Sequence, residues 1–140
     1  MNTTAVSMRL RSYPSGVKFV LAVYALAFAF GTYVHVTLLL SGPPPHPVNQ
    51  SLVYGYDTLA FLDPLVIVLL LRFPRAGLLL ALAIMVADVG VNTFVAYMYP
   101  HPLVGAYTPD PGAQANGVFL GFVLGSAPLL WPYLGRKDVA

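Results

Sequence analysis

The sequence predicts an all-α integral membrane protein, a four-transmembrane-helix antiparallel bundle with both termini in the cytoplasm. The composition excludes an ordinary soluble domain, because 58% of the 140 residues are hydrophobic, only 9% are charged, and the mean hydropathy is +0.75. Four apolar segments are each long enough to cross a hydrocarbon core of ~30 Å as a helix. They lie at about 19–40, 52–71, 76–99 and 116–134, which makes residues 1–140 a single membrane domain.

The first segment follows a basic leader that contains Arg9, Arg11 and Lys18. Residues 27–29 read Ala-Phe-Ala and resemble a signal-peptide cleavage site, which is the competing interpretation of this segment. The apolar run continues well beyond that site, and it is longer than the core of a signal peptide. We therefore predict a membrane span, which ends at the proline-rich stretch 41–47.

The second and third segments form a predicted antiparallel hairpin, because the link between them, 72–75, is short and contains a proline. The second segment is the least regular of the four, since it contains Asp57 and the pair Asp63-Pro64. Pro64 has no amide hydrogen, so we expect the helix to bend near this residue.

All seven Lys and Arg residues fall on one side of the predicted bundle, in the leader, in the 72–75 link and in the tail. The positive-inside rule places these three segments in the cytoplasm and the loops 41–51 and 100–115 outside. The net charge of +2 and the pI of about 9.0 therefore reflect orientation in a membrane and do not indicate nucleic-acid binding. We expect this membrane to be the plasma membrane.

Five polar side chains lie inside the predicted spans and form the candidate ligand- or ion-binding set: His35, Asp57, Asp63, Asp88 and Asn92. An ionisable group near the bilayer centre costs ~2.5–3.5 kcal/mol, so each one needs a partner, water or a proton. Counting ~1.5 Å per residue from the basic flanks places His35 and Asn92 at ~25 Å. The same count places Asp57 at ~22 Å, Asp88 at ~20 Å and Asp63 at ~14 Å. We therefore expect His35 to pair with Asp88, with Asp63 below them.

Each member of this set also has a purely structural interpretation. His35 and Asn92 would then serve as hydrogen bonds between helices, which average only ~0.6 kcal/mol in one measured membrane protein. Asp63 would cap a broken helix, and Asp57 would lie in the wet interface. Asp88 is the member that packing explains least, since intramembrane carboxylates usually mark functional sites.

Gly117, Gly121 and Gly125 share one side of the fourth segment at four-residue spacing, and we call them the glycine face. Small residues at this spacing let two helix backbones approach closely. We predict that the glycine face packs inside the bundle. The alternative is that it contacts a second copy of the chain or a membrane partner subunit.

The sequence predicts no cofactor, no metal site and no catalytic residue set. It contains no cysteine, which excludes disulfides and thiolate chemistry. His46, His101 and Asp110 lie in the two predicted outer loops, but their spacing matches no metal site. The sequence also lacks phosphate-binding loops, nucleophile elbows and zinc-binding helix motifs.

These features favour a small-molecule binding or transport module in the lipid bilayer, with a small amphiphile or an ion as its ligand. One alternative is a non-catalytic accessory or assembly subunit of a membrane complex, whose polar residues serve packing and partner choice. The other is a membrane enzyme in which His35 and an aspartate act as an acid–base pair on a lipid-like substrate. Because the chain has short loops and no soluble domain, a role other than catalysis is favoured.

Overall fold

The computed structural model describes residues 11–42, 50–98 and 111–135, and it shows four antiparallel helices. They are α1 (Ser15–Ser41), α2 (Gln50–Arg72), α3 (Pro74–Met98) and α4 (Pro111–Leu134). The all-α four-helix arrangement predicted from the sequence is confirmed. His46, His101 and Asp110, and the basic residues Arg9, Arg136 and Lys137, lie outside the described residues.

Three helices of the described chain are long and apolar enough to cross a membrane: Ser15–Ser41, Pro74–Phe94 and Gly112–Leu134. Large apolar side chains cover their outward faces, as expected where a helix contacts lipid; examples are Leu26, Phe30, Val86, Val118 and Leu129. The chain is therefore a multi-pass membrane protein. The crossing of α2 stays a prediction.

The α2–α3 turn joins two closely packed helices. The Phe73 amide donates a hydrogen bond to the Leu69 carbonyl at 2.7 Å, and the Gly77 amide donates to the Phe73 carbonyl at 3.0 Å. A Cβ atom added at Gly77 would lie 2.8 Å from the Leu69 carbonyl carbon, so only glycine permits this approach. We call the half of the bundle that carries this turn the proximal half, and the opposite half the distal half.

Helix α2 is continuous through Pro64. The preceding residue, Asp63, therefore lies within the helix, 3% exposed, and does not cap a helix end. Neighbouring helices tolerate a proline in such a position when they cover the carbonyl group that it leaves unpaired.

The buried residues of each helix recur every three or four positions and meet in one core. The small, polar face predicted for α3 is confirmed, because its members are buried; they are Gly77, Ala81, Ile84 and Asp88. The corresponding buried face of α1 contains Val17, Leu21, Tyr24 and Phe28.

Helices α1 and α4 meet through an aromatic contact in the middle of the bundle. The Tyr24 hydroxyl, which is fully buried, donates a hydrogen bond to the Val123 carbonyl at 3.2 Å and lies 3.1 Å from the Ser126 hydroxyl. The rings of Phe28 and Phe119 pack edge to face with their centroids 5.8 Å apart. These contacts close the bundle between its first and last helices.

The glycine face does not pack inside the chain, contrary to our first interpretation of it. A Cβ atom added at Gly117, Gly121 or Gly125 would meet nothing within 4 Å in the described structure, and all three residues are exposed. The core side of α4 is the opposite one, where Val123 and Leu130 are buried. The reason is that larger side chains at the core positions fill the bundle and turn the glycines outward. Contact with another chain remains a prediction.

Candidate functional site

A cavity of about 460 Å³ lies in the distal half, and we call it the distal cavity. Phe28 and Phe119 lie at its proximal side, where α1 and α4 meet. Apolar side chains make up most of the remaining lining, among them Val34, Leu38, Ile84 and Met85. Five polar side chains also line the cavity, and together they come from all four helices: His35, Asp63, Asp88, Asn92 and Asn116.

Asp88 is held by two amide side chains. Asn92 Nδ2 donates to Asp88 Oδ1 at 2.8 Å, and Asn116 Nδ2 donates to Asp88 Oδ2 at 2.8 Å. The first bond runs within α3, while the second joins α3 to α4. Each carboxylate oxygen therefore accepts one hydrogen bond, which suits an ionised carboxylate, since this form only accepts.

Asp63 faces His35 across the cavity wall. The distance from His35 Nε2 to Asp63 Oδ2 is 3.8 Å, and the two side chains are 11% and 5% exposed. This distance exceeds that of a hydrogen bond. Among the described residues, no group donates a hydrogen bond to the Asp63 carboxylate.

Gly31 creates the space that the Asp63 carboxyl group occupies. A Cβ atom added at Gly31 would lie 2.5 Å from Asp63 Oδ2 and 3.4 Å from Asp63 Cγ. These distances are shorter than ordinary van der Waals contacts, so an alanine would push the carboxyl group away. The side of α1 that carries Gly31 and His35 is thus shaped to fit an acidic side chain from α2.

The expected partner of His35 was wrong, because Asp63 lies within 4 Å of it and Asp88 is bonded to amides instead. The depth count separated His35 and Asp63 by ~11 Å. That count assumed that the basic residues flanking α1 and α2 lie in one plane and that both helices run straight across the membrane. Tilted or unequally placed helices remove this assumption, and the structure brings the two side chains together.

Four of the five sequence-predicted residues line the distal cavity, and the remaining one, Asp57, does not. Asp57 is half-buried and lies closer to the start of α2, almost two turns before Asp63. These six residues amount to about 120° of rotation around a regular helix, which takes Asp57 off the face that meets α1. Its place among the candidate ligands is not supported by this geometry.

Asn116 is the site residue that sequence reasoning missed. It lies three residues before Phe119 and seven before Val123, on the buried side of α4. The spacing of the bulky apolar residues in α4 carried this signal, because Phe119, Val123 and Leu130 repeat with a helical period. Attention to the glycine face pointed to the opposite side of the helix.

The chemistry of the distal cavity is that of a negatively biased, mostly apolar site. It contains two carboxylates, one imidazole and two amides, and no Lys or Arg side chain lines it within the described structure. In the same part of the chain, no group of three His, Asp or Glu side chains could hold a metal ion. The arrangement can hold a group that donates hydrogen bonds or carries positive charge.

The chain matches no protein-family model, no curated protein and no solved structure. Arguments about its function therefore rest on the geometry of the distal cavity.

Proposed function

We propose that the chain is a small-molecule binding or transport protein of the plasma membrane, and that the distal cavity is its binding site. The observation that carries the proposal is the meeting of polar side chains from all four helices in one cavity of about 460 Å³. This volume falls in the range of ~300–1,000 Å³ that is common for small-molecule sites. Polar groups that served only helix packing would have no reason to share one cavity.

The proposal includes a topology in which all four helices cross the membrane and both termini lie in the cytoplasm. Helix α2 has 23 residues and is therefore ~34 Å long, enough to span the hydrocarbon core. It packs between α1 and α3, both of which are long and apolar enough to cross. Because Arg72 and Arg75 flank the α2–α3 turn, the proximal half faces the cytoplasm and the distal cavity lies in the outer half.

Two observations separate this proposal from its alternatives. An acid–base enzyme needs its two groups within hydrogen-bond reach of a reacting atom, and the His35–Asp63 distance of 3.8 Å is longer than that. An accessory subunit has support of its own, because the glycine face is exposed and open to a partner. We keep the accessory subunit as the second candidate function, since it does not require the cavity.

Filling the distal cavity tests the proposal. Ala27 is half-buried and lines the cavity, so Ala27→Phe places an aromatic ring in it. Ala29 lies on the same helix, is exposed and does not line the cavity, which makes Ala29→Phe the matched control. We expect native mass spectrometry of chains released from nanodiscs to show a bound small molecule in the wild type and in Ala29→Phe. The Ala27→Phe chain should lack it. Equal occupancy in the two variants would contradict the proposed function.

A further inference from the structure

Asp63 is a buried acceptor that the described protein leaves without a donor. Its side chain is 5% exposed, it lines the distal cavity, and its nearest polar neighbour, His35 Nε2, lies 3.8 Å away. The other carboxylate of the cavity, Asp88, has a donor on each oxygen. Buried polar groups are hydrogen-bonded in nearly all folded proteins. A ligand that donates to Asp63 would complete the site.

The charges of the cavity indicate the sign of that ligand. Asp63 and Asp88 lie close enough to interact electrostatically. The described Lys and Arg side chains lie at the proximal end, on Lys18, Arg72 and Arg75, where they cannot line the cavity. Two carboxylates without a described basic partner repel an anion and attract a cation.

The apolar lining indicates that the cation is organic. A metal ion prefers several oxygen ligands around it, and the described residues offer no group of three acidic or His side chains for one. Most of the cavity wall is apolar instead, which suits a hydrocarbon body. The polar groups then contact only the head of such a molecule.

The cavity also reaches the lipid-facing surface of the bundle. Phe30 and Leu38 line it, yet they are 68% and 54% exposed. On the opposite side, exposed small residues of α4 line it as well, namely Gly112 and Ala115. An opening between α1 and α4 at this depth leads into the hydrocarbon region, so an apolar ligand can enter from the bilayer.

We propose that the distal cavity binds an amphiphilic ammonium compound, which enters between α1 and α4 and donates an N–H hydrogen bond to Asp63. This inference rests on the proposed function and names its ligand class. The apolar body of the ligand packs on Phe28, Phe30 and Phe119, and Asp88 stays with its two amides. Because Asp63 lacks a donor, the ligand needs an N–H group, and a quaternary ammonium group satisfies the charge but not the hydrogen bond.

Binding of tritiated decylamine to the chain in phosphatidylcholine nanodiscs tests the inference. We expect saturable binding to the wild type and at least tenfold weaker binding to Asp63→Asn, since the amide keeps the shape but loses the charge. Asp57→Asn is the matched control, because it removes a carboxylate of the same helix that does not line the cavity; its affinity should stay unchanged. Decyltrimethylammonium and decan-1-ol should each compete at least tenfold less well than unlabelled decylamine.

Gly31→Ala provides a second variant in case Asp63→Asn folds poorly. The added methyl group displaces the Asp63 carboxyl group and should weaken decylamine binding, while Gly90→Ala, which meets nothing within 4 Å, should not. Equal competition by decan-1-ol, or full affinity in Asp63→Asn, would overturn the ammonium site and leave the binding cavity standing. Decylamine binding that is the same in Ala27→Phe as in the wild type would overturn the inference and would count against the cavity as well.

Discussion

Two hydrogen bonds of equal length meet at Asp88, and they should differ several-fold in their contribution to stability. The bond from Asn92 connects residues four apart in one helix, whereas the bond from Asn116 connects α3 to α4. Membrane helices persist when a bundle comes apart inside the membrane, so the local bond survives unfolding of this kind. The bond from Asn116 is lost.

The expected magnitudes follow from this difference. Hydrogen bonds to charged groups contribute ~1.5–3 kcal/mol in soluble proteins, and measured pairs between membrane helices reach at most ~1.7 kcal/mol. Both limits are met by a coupling energy of ~1.5 kcal/mol between Asp88 and Asn116 at its 2.8 Å distance. Pairs four residues apart on a helix contribute ~0.2–0.5 kcal/mol, which we expect for Asp88 and Asn92.

Two double-mutant cycles measure these energies. The first combines Asp88→Ala with Asn116→Ala, and the second combines Asp88→Ala with Asn92→Ala, so that effects outside each pair cancel. The free energy of unfolding is followed in mixed micelles with an increasing fraction of sodium dodecyl sulfate. Equal coupling energies in the two cycles, or a coupling below ~0.5 kcal/mol for Asn116, would refute the reasoning.

Two further predictions concern the outer surface and the orientation of the bundle. Gly121→Leu should leave the stability of the single chain unchanged, as should its control Gly90→Leu, because a side chain at either position meets open space. Leu120→Ala removes a side chain packed on the core and should destabilise the chain, so a loss of stability in Gly121→Leu of similar size would contradict this placement. Topology is tested in intact cells with single cysteines, which the natural chain lacks. A membrane-impermeant thiol reagent should label Asp110→Cys and not Phe73→Cys, and the reverse pattern would invert the bundle.

Local patterns predicted the fold well, because each depends on neighbours along one helix. The polar face of α3 is an example, since Ala81 and Asp88 are buried where their spacing placed them. The short 72–75 link predicted the hairpin of α2 and α3 for the same reason. Hydrophobicity and helical period are properties of single segments, and they need no knowledge of the partner helix.

Contacts between helices were harder to predict, because they depend on rotation and axial shift. The pairing of His35 with Asp63 required the relative height of α1 and α2, which a residue count from flanking charges does not supply. The glycine face shows the same difficulty for rotation. Its spacing marks a surface that allows close approach, but the side chains on the rest of α4 decide whether that surface faces the core or the lipid.

The contacts that tie the helices together are concentrated in the proximal half of the bundle. The backbones of α2 and α3 touch near Gly77, the guanidinium carbon of Arg75 lies 4.8 Å from the centre of the Trp131 ring, and Tyr24 bonds to α4. The distal half holds a cavity where a core would otherwise be. Stiffness therefore falls along the bundle axis, and amide hydrogens near the cavity exchange with solvent sooner than those near the turn. The distal ends of α1 and α4 can spread around a guest while the proximal half keeps the four helices in register.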